Sequence, residues 1–160
     1  MTDPRTGNTL TEIRTALNLG QTDLANTYLA RPDHKAYLSG RTALVDRLLT
    51  QLWSQAEMPA STTLIAVGGY GRGELYPHSD IDVLIALDAP PSPALEETLQ
   101  QLISQFWDIG LAVGHSVRTI NECIESAHAD VTVQTALFES RLICGNQALY
   151  LQLQEAVTAC

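Results

Sequence analysis

The chain has 160 residues, 45% of them hydrophobic, and a mean hydropathy of +0.00, which supplies one ordinary core but not two full domains. Nine basic residues against eighteen acidic ones give a formal charge of −9 and a pI near 4.7, which opposes any sequence-independent grip on a phosphate backbone and argues against nucleic acid as a partner. No run approaches 18 consecutive apolar residues, and the opening MTDPRTGNTLTEIR lacks the basic-then-apolar order of a secretory signal, so a cytoplasmic protein with no membrane association is expected.

Residues 1–33 are polar, with apolar marks at Ile13, Leu17, Leu24 and Leu29, and are expected to be partly helical or flexible, with one or two short helices. A single domain is expected over 34–160. From 36 to 55 the apolar residues Leu38, Leu44, Val45, Leu48, Leu49, Leu52 and Trp53 recur at three- and four-residue steps, the mark of an amphipathic helix, and Pro59 follows as a stop. The run 63–67 reads as a buried strand that ends abruptly at Gly68-Gly69, and 81–87 reads as a second strand closed by Asp88 and Pro90-Pro91. After Ser92 and Pro93, the stripe Leu95, Leu99, Leu102, Ile103, Phe106 and Trp107 predicts another amphipathic helix ending near Gly110. A third strand is expected over 111–117, helices over 120–127 and 131–138, a short strand over 141–144 and a closing helix over 148–157. Helices alternating with strands in one compact chain indicate a mixed α/β or α+β domain. Trp53, Phe106 and Trp107 are assigned to the core, as are Cys123 and Cys144; the three cysteines, Cys160 included, form no CxxC pair and suggest neither disulfides nor a structural zinc site.

The chemistry concentrates in GGYGRGELYPHSDIDVLI, residues 68–85. Side chains alternate along a strand, so Asp80 and Asp82 share one side while Ile81 and Val83 enter the core. Two ionised carboxylates held together at the end of an apolar strand repel unless a cation sits between them. Hard oxygen ligands of this kind suit Mg²⁺, which is content with a few carboxylates, waters and substrate phosphates. Such ions can bridge an attacking oxygen and a triphosphate during in-line displacement, which makes Asp80 and Asp82 the candidate catalytic pair and metal ligands. Gly68, Gly69, Gly71 and Gly73 let backbone N–H groups approach a phosphate, and Arg72 in the same turn can neutralise its charge; Ser79, beside the first aspartate, joins the candidate nucleotide-binding residues. His78 either lines the site or is an ordinary turn residue, and Glu74 reads as a solvated one. His115 and Val117 fall on one face of the third strand with Ser116 and Arg118 on the other, and alternation alone leaves open which face meets the nucleotide.

Gly68-Gly69, a polar turn and Asp80-Ile81-Asp82 together resemble the signature of the polymerase β nucleotidyltransferase superfamily, whose fold is a small mixed sheet flanked by helices. The fuller string is similar to the amino-terminal catalytic domain of the PII uridylyltransferase/uridylyl-removing family, as are WDIGLAVGHSVRTINEC at 107–123 and LFESRLICGN at 137–146. That resemblance implies transfer of UMP from UTP to a tyrosine hydroxyl of the nitrogen-regulatory protein PII. AMP transfer to another acceptor and a non-catalytic nucleotide-binding module are the alternatives. Two departures stand out. Gly69 replaces the serine many superfamily members carry, and residues 111–117 contain no third carboxylate, leaving Glu122 and Asp130 as candidates. The family continues into hydrolytic HD and glutamine-sensing ACT domains, and this sequence has no adjacent His-Asp pair, so deuridylylation and glutamine sensing are expected to be missing from it.

Overall fold

The computed structural model describes residues 9–77 and 79–159. Helix α1 (Leu10–Ala30) starts where the Thr9 side chain accepts the Glu12 N–H, and α2 (His34–Gln55) starts where Asp33 accepts that of Ala36. The two helices pack against each other. In place of short helical pieces, the described part of the amino-terminal segment holds one 21-residue helix. Its anchor is Ile13 and Leu17, one turn apart and both buried, while Leu29 at its far end is exposed.

Strand β1 (Thr62–Ala66) leads into a single helical turn, α3 (Gly68–Gly71), and then β2 (Ile81–Leu87). Helix α4 (Pro93–Asp108) has Ser92 as its cap and Pro93 in its first turn, where a missing N–H is harmless. It is followed by β3 (Val113–Thr119), α5 (Ile120–Ala129), α6 (Val131–Phe138), β4 (Arg141–Gly145) and α7 (Gln147–Thr158). The sheet order is β3-β2-β1-β4, with β1 antiparallel to both neighbours and β2 parallel to β3. A parallel pair requires a crossover, and α4 supplies it.

Alternation divides the sheet's residues between two cores. Leu64, Ala66, Ile81, Val83, Ile85 and Leu87 join the buried residues of α1, α2 and α4, among them Ile13, Leu49 and Phe106. Ile65, Leu84 and Ala86 join Ile120, Cys123, Leu137, Leu149 and Leu153 from α5, α6 and α7. Trp107, assigned to the core from its spacing, is instead 56% exposed. Phe106 completes the inward stripe of α4, and the next residue, about 100° further round the helix, turns outward. Cys144 is half-buried rather than a full core residue, and both Cys123 and Cys144 are free thiols. Cys160 lies outside the described residues. No described helix is long and apolar enough to cross a membrane.

Candidate active site

Ile81 and Val83 are 2% exposed, whereas Asp80 and Asp82 are exposed, so the alternation expected at the start of β2 is present. Asp82 has the parity of Leu84 and Ala86 and therefore lies on the face of α5 to α7, just before those helices begin to cover the sheet. Opposite it in the parallel register is Gly114 of β3. A Cβ on Gly114 would stand 2.6 Å from Asp82 Oδ1, and one on Gly68 would stand 3.5 Å from Asp82 Oδ2. The carboxylate thus sits in a cradle between the two glycines: a side chain on Gly114 would collide with it, while one on Gly68 would reach only ordinary contact. Gly68 has φ +62°, a left-handed conformation that also favours glycine.

Among the described residues, neither Asp80 nor Asp82 has a side-chain hydrogen bond or ion pair. Loss of solvation and the neighbouring Asp80 charge raise the Asp82 pKa above the ordinary carboxylate value. An unpaired carboxylate, a second one beside it and a cradle lined with glycine suit a small hard cation. Among the described residues no third His, Cys, Asp or Glu joins them. Glu122 and Asp130 are committed to helix caps: Glu122 accepts the Thr119 N–H at 3.2 Å and Asp130 accepts that of Thr132 at 2.8 Å.

The glycine-rich turn is held by its own backbone and, through Tyr70, by two distant side chains, Asp46 and Arg141. Gly71 N–H donates to Val67 O, Arg72 N–H to Gly68 O and Glu74 N–H to Gly69 O. Gly71 is buried so tightly that a Cβ would lie 2.4 Å from Glu139 O and 2.8 Å from Ala66 O. Tyr70, 1% exposed, donates its phenolic hydrogen to Asp46 of α2. Arg141 of β4 grips the same carboxylate at 2.6 and 3.2 Å, donates to Tyr70 O at 3.2 Å and lies over the Tyr70 ring. Burial, reinforced by Asp46, drives the Tyr70 hydroxyl pKa far above its ordinary value, so it remains a donor. Burial works against the Arg141 charge, but the bonds to Asp46 outweigh it and its pKa is raised.

Arg72 folds back over Gly69, its guanidinium bonded to Glu139 at 2.6 Å and Glu74 at 3.3 Å. These carboxylates, Glu139 foremost, raise its pKa. Glu74 is thereby an ion-pair partner rather than a free turn residue. Further along, Ser79 is half-buried, with its N–H on Tyr76 O at 3.0 Å. Arg41 of α2 donates to Pro77 O at 3.2 Å, and Thr42 lies 3.3 Å from Gly73 O, so α2 supports both ends of the loop before Asp80. His78 lies outside the described residues.

The structure therefore gathers Gly68, Asp80 and Asp82 at the start of β2, with Gly69 and Arg72 in the turn that Gly68 opens, whereas Gly71 is packed beneath that turn against Ala66 and Glu139. It adds supports that the sequence reading did not single out: Asp46, Tyr70, Arg141, Arg41, Thr42 and Gly114. Only Gly114 carried a local signal, because a glycine inside a strand marks a close approach. The register places Ser116 and Arg118 on the Asp82 side of the sheet and His115 and Val117 on the other.

A four-stranded mixed sheet flanked by helices, with an Asp-x-Asp strand beginning against a glycine turn, defines a polymerase β-type nucleotidyltransferase domain. Residues 46–143 match the nucleotidyltransferase domain family, and the chain belongs to that family. It is 50% identical over 129 residues to the bifunctional uridylyltransferase/uridylyl-removing enzyme of Bordetella avium, covering 81% of this chain and 15% of that protein. The enzymes of the same name from Aromatoleum aromaticum and Thiobacillus denitrificans are 42% and 43% identical over 149 and 139 residues, covering 93% and 87% of this chain. The chain spans only 15–17% of the length of these relatives.

Proposed function

We propose that this domain transfers UMP from UTP to a tyrosine hydroxyl of the nitrogen-regulatory protein PII in the cytoplasm, with Mg²⁺ held by Asp80 and Asp82. The observation that carries the reading is the unpaired Asp82 carboxylate in its cradle of Gly68 and Gly114, with Asp80 beside it. Its support from the relatives is the uridylyltransferase activity in their names. When bound, Mg²⁺ would polarise the triphosphate and lower the pKa of an attacking hydroxyl.

The chain's own residues do the positioning. Asp80 and Asp82 hold charge at the start of β2, where the α-phosphate belongs. The turn at Gly68 and Gly69 presents backbone to the β- and γ-phosphates without side-chain obstruction, with Arg72 and Ser79 at its edges, whereas Gly71, expected from the sequence to share this role, is buried with its N–H on Val67 O and supports the turn from beneath. The acceptor oxygen forms the new bond to the α-phosphorus, the bond to the β-phosphate bridge breaks, and pyrophosphate leaves. Arg72 exchanges its bonds to Glu139 and Glu74 for phosphate oxygens as the triphosphate arrives.

The test is incorporation of labelled UMP or AMP into purified PII with Mg²⁺, comparing the chain with its Asp80→Asn/Asp82→Asn variant. UMP transfer that disappears in the variant is the expected result. AMP transfer in its place would reassign the nucleotide, and metal-independent binding of UTP without transfer would favour a non-catalytic module.

A further inference from the structure

Beside the aspartates, a cleft of about 150 Å³ lies between the sheet and helices α5 and α6, lined by Val67, Leu84, Ser116, Arg118, Cys123 and Ala136 among others. Its position relates it to the site. Val67 immediately precedes Gly68, and Leu84 is the residue after Asp82 on the same face, about 7 Å further along the strand. The cleft therefore begins where a nucleotide whose α-phosphate rests at Asp82 would place its sugar and base. At half or less of the roughly 300 Å³ typical of the smallest drug-sized pockets, it has room for a single ring system.

The lining is apolar except at Ser116 and Arg118. Arg118 is half-buried, and among the described residues its side chain has no hydrogen bond or ion pair. Guanidinium only donates, and the Arg118 nitrogens are not among the buried atoms left without a partner, so they face water that the acceptor oxygens of a ligand can replace, while the Ser116 hydroxyl can donate or accept. Burial pushes the Cys123 thiol up to about 11, so it lines the cleft as a neutral wall and leaves the Arg118 charge unclaimed. Glu122, the acid nearest in sequence, is held in the cap of α5.

We infer that this cleft is the nucleoside subsite, where the apolar wall takes a flat pyrimidine and Arg118 with Ser116 binds its carbonyl edge. The inference rests on nucleotidyl transfer at Asp80 and Asp82 and adds a source of base choice: uracil presents two carbonyl oxygens, adenine none.

Calorimetric titration with Mg²⁺ present tests it, using UTP, ATP and inorganic tripolyphosphate against the wild-type chain, Arg118→Ala and Ala136→Phe. The second variant fills the cleft while leaving Arg118 in place, and circular dichroism checks the fold of both. Weakening of UTP by about tenfold to a hundredfold in each variant, with tripolyphosphate unchanged, is the expected outcome. Equal weakening of UTP and tripolyphosphate by Arg118→Ala would move this arginine to the phosphates and overturn the inference, as would UTP affinity unchanged in both variants. Failure of the wild-type chain to bind either triphosphate would remove nucleotidyl transfer itself, a result distinct from a wild-type chain that binds UTP and variants that bind it equally well.

Discussion

The two faces of the sheet divide the labour of this domain. One is covered by α1, α2 and α4, helices of 21, 22 and 16 residues, and buries the larger core. The other meets α5, α6 and α7, of 10, 8 and 12 residues, and buries a smaller one. The shorter helices leave the first row of the second face, Asp82 and Gly114, uncovered. Buried apolar surface is concentrated where coverage is complete, and the proposed chemistry sits where coverage stops, on a strand anchored in the other face. Two like charges can stand at that strand end because Ile81 and Val83, alternating with them, are anchored in the large core.

That comparison breaks if the faces do not separate on mutation. Phe106→Ala, at a fully buried position of the large core, is expected to destabilise the fold by about 3–5 kcal/mol in urea unfolding, with activity lost only in proportion to the unfolded fraction. Asp82→Asn should show the opposite pattern, a fall in transfer of about a hundredfold to a thousandfold, equivalent to about 3–4 kcal/mol in the barrier, with the fold intact. A Phe106 variant with normal stability, or an Asp82 variant that unfolds, would refute the division.

Asp46→Ala probes the link between the two regions, since Asp46 reaches from α2 to Tyr70 in the glycine turn and to Arg141 in β4. Removing it strands a half-buried guanidinium and a buried phenol, for an expected loss of about 1–3 kcal/mol. Transfer should fall beyond that loss because the turn loosens; unchanged kcat in the folded fraction would reduce Asp46 to a purely structural role.

The smallest effect concerns pH. The Asp82 pKa is raised in the folded state, so above that value its charge subtracts from the stability of the metal-free fold. As pH falls through the raised value protonation relieves this, and the relief is complete below the unfolded carboxylate range. The Tm difference between Asp82→Asn and wild type should thus favour the variant by about 1–3 °C at pH 7 and shrink on acidification. Affinity for Mg²⁺ should decline on acidification at a higher pH than for an ordinary aspartate. A Tm difference that grows at low pH would contradict the raised pKa.

Local pattern was sufficient for most elements. Three- and four-residue periodicity placed α2 and α4, and short β-branched runs placed β1 and β2, because burial of one face imposes those periods on the residues themselves. The same logic misjudged Trp107, one residue past the inward stripe, and the length of the amino-terminal helix, which Ile13 and Leu17, with Leu10, Ala16 and Leu24 partly buried beside them, hold against the large core.

By itself, then, the sequence determined the mixed helix-and-strand class and the shared side of Asp80 and Asp82, since alternation along one strand is a local property. Only the tertiary structure decided what surrounds them. The register of β2 against β3 put Gly114 under Asp82 and Arg118 on its side, and packing joined Asp46, Tyr70 and Arg141 across 95 positions of chain. Such partnerships depend on which elements become neighbours, and no spacing within one segment encodes that.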